Sequence, residues 1–388
     1  MDIDNLYTQF VKVFKRQPQR TFFAPGRINL IGEHIDYNGG YVLPCAISLG
    51  TYGVIANRDD QQLNFYSMNI SNKGIIHASL TDLTYQTNHD WANYLIGMIQ
   101  VLNNHGYDIN HGFDLLINGD LPNGAGLSSS ASVELLMGEI LRTNFNLKIS
   151  NIELAQYGKE VENNYIGVNS GIMDQFAIAM GKTDHAILLN TSTLRYQYVP
   201  IQLGKYVVVI MNTNKRRELQ TSKYNERRDE CNCALRLLQK KINIHNLCDL
   251  NKEMFDEYTY LLNNDLLIRR TRHVVFENQR VLQVQQALNN DNLATVGCLL
   301  NASHISLHYD YAVTGKELDT LVATSWQQPG VLGARMCGAG FGGCAIAIVE
   351  QNMISDFCEI VGQYYHDVIG YDPSFYVAHI VNGPQEIK

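Results

Sequence analysis

The chain has no apolar run long enough to cross a bilayer. Its longest runs, such as Cys344 to Val349 and Val207 to Met211, are strand-sized, against the roughly 20 residues that a spanning helix needs. It also lacks a basic excess: 30 Lys and Arg stand against 38 Asp and Glu, a net charge of -8. Binding to a phosphate backbone calls for a basic face, so nucleic acid is excluded as the main partner. The short clusters Lys215-Arg216-Arg217 and Arg269-Arg270 read as solvated surface. No polar low-complexity tract occurs, and with 45% hydrophobic and 18% charged residues the composition is that of a folded protein. Cysteines are few and scattered. The one close pair among the eight, Cys231 and Cys233, has no second pair at zinc-ligand spacing. Reduced thiols in a cytosolic protein are expected, and the Asn-x-Ser triplets at Asn69, Asn190 and Asn301 are then chance matches. The segment Met1-Asp2-Ile3-Asp4-Asn5 is acidic where a secretory signal needs a positive start, which points to a cytoplasmic location and no membrane partner.

At 388 residues the chain is too long for one ordinary core, so two domains with a cleft between them are expected. Leu6, Phe10, Val13 and Phe14 have the spacing of an amphipathic helix. Pro25-Gly26 reads as a turn, followed by a strand in which Arg27 and Asn29 share the polar face and Ile28 and Leu30 the apolar one. Strand patterns cover Val42 to Ala56, Gln62 to Tyr66 and 113–118; a helical pattern covers Trp91 to Leu102. A glycine- and serine-rich loop then leads into a helix burying Val133, Leu136, Met137, Ile140 and Leu141. The capping box Ser150-Asn151-Ile152-Glu153 opens another helix. Helices dominate from Ser222 to His308, which places a soft domain boundary near residue 200 and divides the chain into 1–200 and 201–388.

Four constellations carry chemistry. In Leu121 to Ala131, small residues before a helix let backbone amides approach phosphate oxygens; the alternative is a plain serine-rich connector. No Lys-Ser or Lys-Thr follows its glycines, so this is no Walker loop and positive charge must come from a metal or from elsewhere. Gly338 to Gly343 matches the dinucleotide pattern G-x-G-x-x-G, but a strand-like Cys344 to Val349 follows where a helix is required. The segments of a protein kinase are absent. Arg27, Glu33, His34 and Asp36 group around Gly32, and carboxylates there suit the hydroxyls of a neutral polyol. Asp174, ahead of an apolar helix, reads on its own as a helix cap. His304 and His308, one turn apart, lack an acidic third ligand nearby and are not taken as a metal site.

Together these segments resemble the galactokinases, members of the superfamily of small-molecule kinases that includes homoserine, mevalonate and phosphomevalonate kinases. Gly26 to Asn38 resembles the galactokinase signature, Pro122 to Ala131 the superfamily's ATP loop, and Gly333 to Cys344 its third glycine motif. The likeness implies an α+β fold: an amino-terminal domain related to a ribosomal-protein fold, a ferredoxin-like carboxyl-terminal domain, and the active site between them. By matching position it implies a sugar pocket of Glu33, His34, Ile35, Asp36, Gly171, Asp174 and Tyr224. It places the triphosphate of ATP on Gly124, Ala125, Gly126, Leu127, Ser128, Ser129 and Ser130, with Ser67 on the nucleotide side, and Mg2+ on Ser130 and Glu162. Asp174 would be the base that accepts the proton of the sugar C1 hydroxyl, with Arg27 pairing with it and stabilising the transferring phosphoryl group. Cys337 and Ala339 depart from the Thr and Gly common in relatives. The partners implied are galactose and ATP; protein partners are left unspecified, with a monomer as the working expectation. Competing readings are a kinase for N-acetylgalactosamine, a catalytically silent sugar and ATP sensor, and an oxidoreductase. The intact Asp36-Tyr37-Asn38-Gly39-Gly40 stretch favours galactose, and the Ser130-Ala131 step, absent from silent relatives, favours catalysis.

Overall fold

A computed structural model describes residues 2–387 except 123–125, 169 and 216–219, and leaves out the side chains of 220–222. Gly124 and Ala125, assigned above to the triphosphate, and Arg216 and Arg217 of the basic cluster therefore lie outside the described residues.

In chain order the strands are β1 (Arg20–Asn29), β2 (Tyr41–Val42), β3 (Pro44–Asn57), β4 (Gln62–Ser67), β5 (Ile76–Ser79), β6 (Phe113–Gly119), β7 (His185–Asn190) and β8 (Tyr196–Pro200). They are followed by β9 (Tyr206–Asn212), β10 (Val331–Cys337), β11 (Cys344–Glu350), β12 (Ser374–Ala378) and β13 (Gln385–Ile387). Three sheets result, in the orders β13-β1-β3-β6-β4-β5, β10-β11-β9-β12 and β2-β7-β8. Among the described residues only the β4–β6 pair runs parallel.

Pro25-Gly26 is not the expected turn. β1 continues through it, and the dipeptide marks a register shift against β3, the local kink by which a strand absorbs an irregular pair. Nor does β1 have a wet face: every residue from Thr21 to Asn29 is buried. The amphipathic helix Ile3–Phe14 packs Leu6 and Phe10 with Val54, Ala56 and Leu116 on one side of this sheet. The helix Ser129–Asn144 covers the other, with Leu136, Met137, Ile140 and Leu141 fully buried. Arg27 and Asn29 thus sit in the interior, where a polar group must find partners.

The expected capping box is present: the Ser150 side chain accepts from the Glu153 amide and the Glu153 side chain accepts from the Ser150 amide. Its helix, Asn151–Glu160, widens into a π-helical turn, Val161–Ile166, a feature that often re-aims side chains at functional sites. A second such turn, Leu307–Tyr311, ends the helix Leu293–Ser306.

Residues 206 to 378 build the second sheet and its helices. The chain then returns: β13 pairs with β1, Thr21 opposite Ile387, and Arg20 donates to both carboxylate oxygens of Glu386 at 2.8 Å. Residues 385–387, within the expected 201–388 segment, thus pair with a strand of the expected 1–200 segment. Among the described residues no helix is long and apolar enough to cross a membrane, and all eight cysteines are free.

The helix Leu293–Ser306 and β10 meet backbone to backbone. A Cβ at Gly297 would lie 2.0 Å from the Leu332 carbonyl oxygen, and one at Gly333 would lie 2.4 Å from the Gly297 oxygen. Neither neighbour is a side chain able to swing away. Gly297→Ala is therefore expected to lower unfolding free energy by roughly 1–3 kcal/mol, measured by chemical denaturation; a stability within error of the parent would contradict this packing.

Candidate active site

β1 leads directly into the signature, and at its buried end Arg27 makes three hydrogen bonds. Nε donates to Asp174 Oδ1 and Nη2 to Asp174 Oδ2, both at 2.9 Å, and Nη1 donates to the Gly126 carbonyl at 2.6 Å. This bidentate fork is the strong geometry for an arginine and a carboxylate. Burial opposes the guanidinium charge, but Asp174, Cys337 and Glu33 outweigh it and its pKa ends above the ordinary value.

Asp174 is not a helix cap. The helix Met173–Ala179 takes Ile172 as its N-cap with no side-chain bond, and Asp174 falls inside the first turn. Its carboxylate is thereby free to face Arg27 and to accept from Ser128 Oγ. Ser128 is itself the N-cap of the helix Ser129–Asn144 and makes no capping bond. It holds a left-handed backbone conformation, φ 61°, so the loop delivers its hydroxyl to Asp174 while the first amides of a long helix stay open to an anion. Leu127 has its side chain in the core, and its carbonyl accepts from the Arg27 amide at 3.3 Å. Ser129 is exposed at the helix start.

Ser130 Oγ donates to Glu162 Oε1 at 2.8 Å, Glu162 being brought there by the π-helical turn. One hydroxyl and one carboxylate are hard oxygen ligands of the kind Mg2+ takes alongside water and substrate phosphate, so the pair fits the implied ion. Glu134, one turn beyond Ser130, lies beneath it. Its Oε2 accepts from Gln175 Nε2 at 3.1 Å, and burial, reinforced by Glu162, pushes its pKa well up. Nothing in the local sequence singles out Glu134, which reads as one polar residue on an amphipathic helix.

A cavity of about 480 Å³ has Arg27, Asp174, Glu33, His34, Asp36 and Tyr224 on its wall, joined by Gly171 and Glu162. Burial, then the negative charges of Asp174 and Glu33, raises Asp36 to a pKa of about 6. Glu33 is already engaged: Gly338 N donates to its Oε1 at 2.8 Å and Arg335 pairs with it at 3.2 Å. Both ring nitrogens of His34 are also engaged, with Tyr37 at 2.9 Å and with the Ala339 carbonyl at 3.1 Å. These two residues line the cleft but their hydrogen-bonding capacity is largely spent on the third glycine motif and on Tyr37.

Two expected residues stand elsewhere. Ile35 is fully buried in the core and is not among the cavity's walls, because its apolar side chain turns in against Gly40. Ser67 is buried at the end of β4, opposite Ile117 of β6, and does not reach the cavity. Arg335, fully buried in β10, was missed altogether; it donates to the carbonyls of Asn29 and Leu30 at 3.0 and 2.9 Å. An arginine inside an otherwise apolar strand was the available signal.

The second glycine cluster is a turn between antiparallel β10 and β11, which removes the dinucleotide reading. It presses on another backbone, Phe341 N donating to the Val313 carbonyl at 2.6 Å. The acid that His304 and His308 lack locally is supplied by Asp319, at 3.3 and 2.9 Å. Still, no cluster of three acidic, histidine or cysteine ligands suited to a metal occurs among the described residues.

Two predictions follow from the cavity wall. A Cβ on Gly171 would sit 2.3 Å from Asp36 Oδ2, so Gly171→Ala should raise the KM of the acceptor by about tenfold or more, the scale of 1–3 kcal/mol for overpacking, with little change in that of the nucleotide. The raised carboxyl of Asp36 binds its proton more tightly when folded than when unfolded. Its contribution to stability is full below 3.8 and is lost as pH rises through about 6. Melting temperatures from pH 5 to 7.5 should therefore fall less steeply in Asp36→Asn than in the parent; parallel profiles would refute the shift.

Residues 8–57 match the family model of the galactokinase galactose-binding signature. Residues 93–182 and 284–367 match those of the GHMP kinase N-terminal and C-terminal domains. The chain is 57% identical to a galactokinase of Lactiplantibacillus plantarum over 387 residues, all of both chains. It is 56% identical to one of Clostridium perfringens, again over the full length of each. A crystal structure of Lactococcus lactis galactokinase complexed with galactose superposes with a TM-score of 0.95 at 50% identity, covering 99% of this chain and 100% of that one. Mevalonate kinase of Methanococcus jannaschii superposes with a TM-score of 0.68 at 18% identity, over 94% and 99% of the two chains, a likeness of fold alone.

Proposed function

The chain belongs to the galactokinases, within the GHMP kinases, and from that premise we propose how its cleft divides the work between an acceptor side and a donor side. The reaction is transfer of the γ-phosphoryl group of ATP to the C1 hydroxyl of α-D-galactose, giving galactose 1-phosphate and ADP. The observation that carries the reading is the Arg27–Asp174 fork, which stands at the cavity wall and is tied to the Gly126 carbonyl of the glycine loop.

Lone-pair accounting assigns the acceptor atom. Among the described residues, Asp174 Oδ2 accepts from both Arg27 Nη2 and Ser128 Oγ, whereas Oδ1 accepts from Arg27 Nε alone. Each carboxylate oxygen has two acceptor sites, so Oδ1 keeps one for the C1 hydroxyl. As the O1–P bond forms and the bond from phosphorus to the β,γ-bridging oxygen breaks, the O1 proton passes to Asp174 Oδ1 and ADP leaves. Arg27 orients this carboxylate and places positive charge beside the transferring group. Asp36 and Tyr224 face the remaining sugar hydroxyls. The ionisable carboxylates of the pocket disfavour an acceptor that is already phosphorylated.

ATP would lie with its phosphates on the loop before Ser129 and on the first amides of that helix. Ser130 and Glu162 would hold Mg2+, which would supply the charge neutralisation that a Walker lysine gives elsewhere. Ser67 remains a more distant candidate on the nucleotide side, and the cytoplasm is the compartment consistent with eight free cysteines.

Asp174→Asn should lower kcat by roughly 10²–10⁴-fold while calorimetry still detects galactose binding. Near-normal turnover would remove the base assignment and leave positioning as the source of rate. Release of no ADP by the parent protein with galactose would instead support the silent-sensor reading.

A further inference from the structure

Behind the cleft wall lies a buried polar chain that the phosphoryl transfer does not use. His34 Nε2 is 3.1 Å from the Ala339 carbonyl, His34 Nδ1 is 2.9 Å from the Tyr37 hydroxyl, and that hydroxyl is 2.8 Å from the hydroxyl of Tyr311. The Tyr311 hydroxyl is in turn 3.1 Å from Cys231 Sγ. Tyr311 is fully buried, Cys231 and His34 nearly so.

The direction of every bond follows from one end. A carbonyl can only accept, so Nε2 of His34 carries a hydrogen and donates to Ala339. Burial, then the neighbouring His273, holds the imidazole pKa down at about 3, so the ring is neutral and Nδ1 offers a lone pair. Tyr37 must then donate to His34, which leaves its oxygen to accept from Tyr311. Tyr311 accepts in its turn from the Cys231 thiol. Burial pushes Cys231 up to about 11 and both tyrosines well above their ordinary values, so no member ionises and reverses the order near neutral pH.

The rings of this chain support Tyr224. His34 lies 5.6 Å from the Tyr224 ring and 4.9 Å from that of Tyr311, and Tyr37 meets Tyr224 edge-on at 5.5 Å. We propose that Cys231, Tyr311 and Tyr37 are positioning residues for the sugar: a one-way hydrogen-bond chain fixes the His34 ring in its Nε2–H form, and His34 with Tyr37 sets the Tyr224 ring against the acceptor. The proposal rests on the cleft being the sugar site. It assigns the thiol of Cys231 a specific duty as terminal donor, 80 residues from its acceptor Tyr311.

The test has two arms. In sugar-free protein with 15N-labelled histidine, NMR at pH 7 should show His34 neutral with the proton on Nε2. In Tyr37→Phe the Nδ1 resonance should move towards that of an imidazole nitrogen without a donor. Protonation on Nδ1, or an imidazolium, would overturn the chain whatever the cleft binds. In steady-state kinetics, Tyr37→Phe and Cys231→Ala should raise the galactose KM by roughly 5- to 100-fold, the scale of leaving a buried acceptor without its donor, while the ATP KM stays within about twofold. Cys231→Ser, which restores a donor, should return the galactose KM towards that of the parent. An unchanged galactose KM in both variants, equal rises in the two KM values, or a serine variant as impaired as the alanine would each overturn the proposal. If Asp36→Asn also leaves the galactose KM unchanged, the fault lies with the sugar-site reading and not with the chain.

Discussion

The fork between Arg27 and Asp174 is the contact on which the rest of the site hangs. Arg27 comes from the buried end of β1, Asp174 from the first turn of a short helix 147 residues away, and the third bond of the guanidinium goes to the glycine loop. Three segments remote in sequence are thereby held by one side chain. Apart from the sliver it shows to the cavity the arginine is buried, so its charge is tolerable only while these partners stay in place. Assembly of the pocket and survival of the buried cation are the same event.

Around that pair, the carboxylates are given different tasks by their neighbours. Glu33 is bound by Arg335 and the Gly338 amide and joins the signature to the third glycine motif. Asp36 is buried and sits against two other acids, which is why its proton is hard to remove. Asp174 is satisfied on one oxygen and half open on the other. Glu162 is turned towards Ser130. Four acids within one cleft would repel one another if treated alike; their separate partners set them apart, in keeping with the separate roles proposed for them above.

Much of this was legible before any coordinates. The strand patterns at β3, β4, β6, β9 and β11, the capping box at Ser150 and the helix after the glycine loop are local signals of periodicity and turn chemistry, and they stand where expected. The signature pointed to a segment that borders the cavity, because its small and charged residues are contiguous. What could not be read was the partner of each group. Pro25-Gly26 has the composition of a turn, yet the neighbouring strand imposes a bulge. Asp174 has the look of a cap, yet the helix starts one residue earlier. Ile35 lies within the signature, yet a fully apolar side chain next to the core turns inward. Tyr37 and Tyr311 are 274 residues apart, and no one-dimensional pattern joins them. Arg335 is a single polar residue in an apolar strand, a signal that says only that something must be waiting for it, and Glu134, on an amphipathic helix, carries not even that.

The return of residues 385–387 to the first strand has a consequence for how the chain comes to be folded. Arg20 and Glu386 lie 366 residues apart, so the large sheet keeps an unpaired edge until nearly the whole intervening chain has emerged from the ribosome. Loop closure over such a span is slow relative to local pairing, and an open strand edge is an invitation to the wrong partner. During synthesis the half that carries the signature and the glycine loop is thus an unfinished object, exposed to chaperones and to neighbouring nascent chains until its closing strand arrives.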